Sequence, residues 1–104
     1  MKLVAVLSTE NHKKTLRQLF IRKKITVFSE LNVSGFRPVY HEGFEVPEKA
    51  EDIKLHPVFS IMSFAFVTDS QAKELIRDID LFNDKEMLPK PVHAFQLDVD
   101  RFVG

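Results

Sequence analysis

The side chains able to do chemistry in this 104-residue sequence are imidazoles, carboxylates and ammonium or guanidinium groups; there is no cysteine. That absence removes thiol catalysis, disulfides and zinc knuckles, and suits a reducing compartment. His41 and His56 bracket an acidic stretch with Glu42, Glu45, Glu48, Glu51 and Asp52, where two imidazoles and Glu42 could chelate a divalent metal. Their spacing matches no ligand motif, so solvated loop histidines are the plainer reading. His12 and His93 stand alone. The sequence holds no glycine-rich phosphate cradle, no HExxH and no nucleophile elbow. No carboxylate pair stands out from a solvated face, so no enzyme is expected. The run Phe64-Ala65-Phe66-Val67 could stack on nucleobases, but packing in a central strand is the plainer reading. Fifteen Lys and Arg balance fifteen Asp and Glu, which gives no electrostatic reason for a nucleic-acid partner. Lys13, Lys14, Arg17, Arg22, Lys23 and Lys24 could meet phosphates or an acidic protein; a solvated helix face is the commoner cause of such a cluster.

The elements that must position these groups follow from hydrophobic period. Leu3 to Leu7 is a continuous apolar run, too short for a helix, and reads as a buried strand. Capping residue types Ser8 to Asn11 follow. Leu16, Leu19 and Phe20 then recur at helical spacing and predict a basic amphipathic helix over about 11–23. Residues 25–34 alternate, with Val27, Ser29, Leu31 and Val33 against Thr26, Phe28, Glu30 and Asn32: a second strand, half exposed. From Gly35 to His56 no period is visible, so the sequence predicts one long loop, of a length that is usually functional. A third strand, 58–67, is apolar on both faces. Thr68 and Gln71 fit a capping box ahead of the stripe Ala72, Leu75, Ile76 and Ile79. Residues 83–91 read as a turn-rich connection, and 92–99 as a last alternating strand.

The order βαββαβ in a single domain predicts an α+β, ferredoxin-like fold with antiparallel sheet order 4-1-3-2 and both helices on one face. The two continuous apolar strands are then central and the alternating ones lie at the edges. Strands one and three are apolar on both sides, yet the chain has no residues left to cover the second face. A further subunit is the expected cover. No apolar run approaches the roughly 20 residues of a membrane span. The short N-terminal run lacks a cleavage site. A cytoplasmic protein that does not insert into membranes is expected.

Several segments together resemble the nitrogen regulatory PII and PII-like signalling proteins. They are the opening Met1-Lys2-Leu3-Val4-Ala5-Val6, the basic first helix, the strand Ile25 to Leu31, the turn Gly35-Phe36-Arg37 and the ending Val92 to Asp100. The likeness spans nearly the whole chain through pattern and spacing. It implies a homotrimer that binds an adenine nucleotide between subunits, with residues 35–56 in the place of the family's T-loop, which engages a transporter or an enzyme. It also implies anion ligands: Arg37 at the loop base, Lys85 and Lys90 in the equivalent of the nucleotide loop, and Arg101 after the last strand. Tyr40, Phe44 and Val46 are the apolar groups of the long segment expected to dock on the partner, and that segment is expected to gain order from it.

The sequence departs from the family where the nucleotide's phosphates would sit. The stretch Asn83 to Pro91 has no glycine, and the arginine-bearing tail is missing, so weak or absent ATP binding is expected. Two alternatives share the topology: a metal-responsive CutA-like trimer, although this chain has no tryptophan, and a small ferredoxin-like dimeric enzyme.

Overall fold

The computed structural model describes residues 1–39 and 54–104. Among the described residues four strands and two main helices follow one another: β1 (Lys2–Ser8), α1 (Lys13–Arg22), β2 (Ser29–Val39), β3 (Lys54–Val67), α2 (Asp69–Glu86) and β4 (His93–Asp98). A single 3-10 turn, Glu10–His12, leads into α1. All pairings are antiparallel and the sheet order is β2-β3-β1-β4. This is the ferredoxin-like α+β arrangement, with the continuous apolar strands in the centre as expected.

Period 2 along the strands divides the sheet into two faces. Val4, Val6, Ile61, Ala65 and Val67 look toward the helices and are buried. Val4, Val6, Ala65 and Val67 meet Leu16 and Phe20 of α1 and Ala72, Leu75 and Ile79 of α2, residues at i, i+4 and i, i+3, i+7 spacing that form one stripe on each helix. Phe28 stacks on Phe20 with ring centroids 4.9 Å apart. Lys23 joins the helices through Asp78, at 2.8 Å. The capping box at α2 is complete: the Gln71 amide donates to Thr68 Oγ1 at 3.1 Å, and the Thr68 amide to Gln71 Oε1 at 2.9 Å. Two orphan N–H groups of the helix start are thereby satisfied.

The other face of the sheet carries Leu3, Leu7, Leu31, Val33, Met62, Phe64, Phe66, Phe95 and Leu97, by the register of the four strands. Nothing among the described residues covers most of it. Leu31, Phe66, Phe95 and Leu97 are each about half exposed, and Phe102 of the C-terminal tail lies 5.2 Å from the Phe66 ring. An apolar surface of this continuity is uncommon on a monomer.

Three sequence expectations are corrected. Residues 35–56 do not form one long loop, because 35–39 and 54–56 are strand. They pair Gly35 with Val58, Phe36 with Pro57, Arg37 with His56, Pro38 with Leu55 and Val39 with Lys54. The two prolines hide this ladder from a reading of the sequence. β1 ends at Ser8 opposite Ile61, so beyond that point β3 is an edge strand, and β2 is an edge throughout; both tolerate proline. The second strand starts at Ser29 rather than at residue 25. Residues 23–25 instead close α1: the Ile25 amide bonds the Phe20 carbonyl, Lys24 turns left-handed at φ 59°, and the Ile25 side chain enters the core. Finally, α2 runs on to Glu86, so the 83–91 connection is helical over its first four residues.

Candidate functional site

Beyond the end of β1, β2 and β3 continue together as a two-stranded ribbon, and at its root lies a cleft of about 600 Å³. Its walls come from the end of β1 (Leu7, Ser8, Thr9), from the ribbon (Arg37 and Pro57 to Ser60) and from the α2–β4 connection (Pro89 to Pro91, with His93). The volume lies within the usual range of small-ligand sites. Arg37, Lys90 and His93 are its nitrogen-bearing side chains, Thr9 and Ser60 bring hydroxyls, and no carboxylate among the described residues lines it. In a chain whose charges balance, this is a local excess of positive charge that favours an anion.

The connection carrying Lys90 is stiff for reasons that can be named. Asn83, in the last turn of α2, accepts a hydrogen bond from the Val92 amide at 2.9 Å and donates Nδ2 to the Val92 carbonyl at 2.8 Å. One side chain thus clamps both polar groups of the residue that closes the connection, and Val92 itself is buried. Met87 ends the helix in the left-handed region at φ 47°, its amide bonded to the Asn83 carbonyl at 3.0 Å. Pro89 and Pro91 flank Lys90. Each fixes its own φ, and Pro91 keeps Lys90 out of the helical region. Lys90 is held by a preorganised backbone rather than by a flexible loop.

Of the four cations the sequence nominated as ligands, the structure brings Arg37 and Lys90 together. Lys85 sits exposed in the last turn of α2, where a cation complements the helix dipole, and does not line the cleft. Arg101 follows β4 at the other end of the sheet, since Asp98 pairs with Lys2 whereas His93 pairs with Leu7. Within one chain it is the length of β4 away, about 20 Å at 3.3 Å per residue. His93 and Asn83 escaped the sequence reading as site residues. The usable signals were Asn83 one helix end away from a proline-flanked lysine, and His93 on the open-face parity of its strand. Tyr40, Phe44 and Val46, and the His41–Glu42 pair, lie outside the described residues. Among the described residues no group of three His, Asp or Glu side chains is set to hold a metal.

Solved structures with this arrangement include CutA and PII-like proteins. CutA1 from Pyrococcus horikoshii superposes with a TM-score of 0.62 at 15% identity, over 99% of this chain and 87% of that one. The structure described as the periplasmic divalent cation tolerance protein CutA from Archaeoglobus fulgidus gives 0.61 at 10% identity, over 99% and 88%. CPII from Thiomonas intermedia, described as a nitrogen regulatory PII-like protein bound to ADP, AMP and bicarbonate, gives 0.59 at 17% identity, over 98% and 94%. No protein-family model and no curated protein matches the sequence. At these identities the likeness is one of fold: the chain is built on the plan shared by PII-like and CutA proteins. No helix among the described residues is long and apolar enough to cross a membrane.

Proposed function

We propose that this protein is a PII-like regulator, a cytoplasmic homotrimer without catalytic activity. It senses a small anionic ligand, with the phosphate of an adenine nucleotide as the leading candidate, and controls a partner such as a transporter or an enzyme. The observation that carries this reading is the cleft uniting Arg37 of the ribbon with Lys90 of the α2–β4 connection. Without an anion the two cations repel across the cleft; an anion between them draws the ribbon root toward the connection. A ligand that binds one such arrangement better than another shifts the population toward it by that difference in affinity. The ribbon leads directly to residues 40–53, whose Tyr40, Phe44 and Val46 are the groups proposed to meet the partner. The trimer is proposed from the open sheet face, which offers each copy an apolar surface for its neighbours.

The ligand class is tested by thermal unfolding of the protein with AMP, ADP, ATP, bicarbonate and divalent metals in turn. A ligand specific to the folded state adds about 2.7 kcal/mol at 100 times its dissociation constant. At least one anion is expected to stabilise the wild type and to lose this effect in Arg37→Ala and in Lys90→Ala. ATP is expected to do no better than AMP, because Pro89 and Pro91 supply no amides to wrap a phosphate chain. Stabilisation by a divalent metal alone, with no anion active, would favour the second reading: a metal-responsive trimer like the CutA proteins that share the fold.

A further inference from the structure

His93 faces the same cleft as Arg37 and Lys90, and its surroundings are unusual in charge. Toward the cleft the charged groups are Arg37 from β2 and Lys90 from the connection; Leu7, its partner on β1, is uncharged. Lys73, Arg77 and Asp80 of α2 lie on the helix side of the sheet, across β4 from the His93 ring. Among the described residues, two cations and no carboxylate line the cleft with the imidazole. A protonated imidazole would add a third positive charge facing an anion held between Arg37 and Lys90. Anion and imidazolium then stabilise one another, and by linkage each raises the hold on the other by the same factor.

The shape of the donor set also limits the ligand. Three of the residues lining the cleft, Pro57, Pro89 and Pro91, have no amide N–H, and no glycine among the described residues lines it. Recognition falls to side chains: the guanidinium fork of Arg37, the ammonium of Lys90, the ring N–H of His93 and the hydroxyls of Thr9 and Ser60. Donors at the ends of separate side chains suit one compact centre. An extended phosphate chain needs a run of backbone amides instead. We propose that His93 is a third ligand of the anion, that the cleft selects a compact oxyanion of the phosphate or sulfate type over a polyphosphate chain, and that its affinity is coupled to protonation of His93. This rests on the anion-sensing reading above and adds the class of ligand and its regulation by pH.

Calorimetric titration with sodium sulfate at constant ionic strength is the direct test, because sulfate keeps its charge from pH 5.5 to 8 and an imidazole does not. The wild type is expected to bind sulfate at least fivefold more tightly at pH 6 than at pH 8. His93→Gln keeps a hydrogen-bonding side chain and is expected to bind with an affinity flat across that range. His56→Gln, on the ribbon but not lining the cleft, should keep the slope. Sulfate binding that depends on Arg37 and Lys90 but is flat with pH in the wild type overturns the role of His93 and leaves the anion site standing. So does an undiminished slope in His93→Gln. No binding of sulfate at any pH overturns both the coupling and the site. ATP more than tenfold tighter than AMP overturns the selection for a compact anion.

Discussion

Arg17 and Glu30 show how one residue pair ties a helix to a strand. Arg17 Nε donates to Glu30 Oε1 at 2.8 Å, and a second guanidinium nitrogen lies 2.7 Å from the same oxygen. The two residues join α1 to β2 on the helix side of the sheet. The Arg17 hydrogen bond holds the Glu30 carboxyl below its ordinary range, with partial burial opposing and the guanidinium charge assisting. The folded carboxyl is the stronger acid, so the pair stabilises the fold above the ordinary glutamate range. That contribution fades as pH falls through the depressed value. Glu30→Gln should therefore unfold at lower temperature than the wild type at pH 7, and the gap should close in acid below that value. A gap unchanged at pH 2.5 would mean that packing, not charge, was lost. Lys2 and Asp98 make a similar pair across β1 and β4 at the surface. At this scale the sequence was only partly legible. Arg37 and Lys90 could be nominated because the resemblance to PII-like proteins implies anion ligands at the loop base and in the α2–β4 connection. His93 could not, because what makes it a site residue is its place opposite Leu7, a pairing across the sheet.

The elements divide in the same way between local and distant causes. The start of α2 is readable because Thr68 and Gln71 are three residues apart and satisfy each other's backbone N–H groups. The core stripe of each helix is readable from its own period. The ribbon is not, since its partners are up to some twenty residues apart and its strands carry Pro38 and Pro57. Its register explains the pattern after the fact. Phe36, Pro38, Leu55, Pro57 and Phe59 share one side, and Arg37, Lys54 and His56 the other. Alternation is present in both strands, but Gly35 and the prolines punctuate it as turns do. Hydrogen exchange checks the ladder residue by residue. Amides of 35–39 and 54–58 that donate across the ribbon should exchange slowly, and those on its outer edges quickly. Fast exchange of all of them would mean that β2 and β3 separate beyond the body of the sheet.

At the scale of the molecule the dominant facts are its extent and its uncovered face. A compact chain of this length has a radius of gyration of about 13 Å; here it is 17.0 Å, with extents of 49 × 36 × 20 Å. The chain has shape to spare for neighbours, and the open face, with Phe95 and Leu97 half exposed, has the chemistry for them. This face was legible from sequence because β1 and β3 are apolar in both phases of the period. What sets the number of copies is the angle at which such faces meet, and no residue pattern encodes that simply. An assembly through the sheet faces and an anion in each cleft are the two proposed features of the molecule. Native mass spectrometry in the presence of AMP reads both at once. Three chains carrying up to three AMP molecules, with the bound AMP lost in the double variant Arg37→Ala/Lys90→Ala while the three-chain mass persists, is the predicted result. A single chain at micromolar concentration, or a trimer that retains AMP in the double variant, would contradict it.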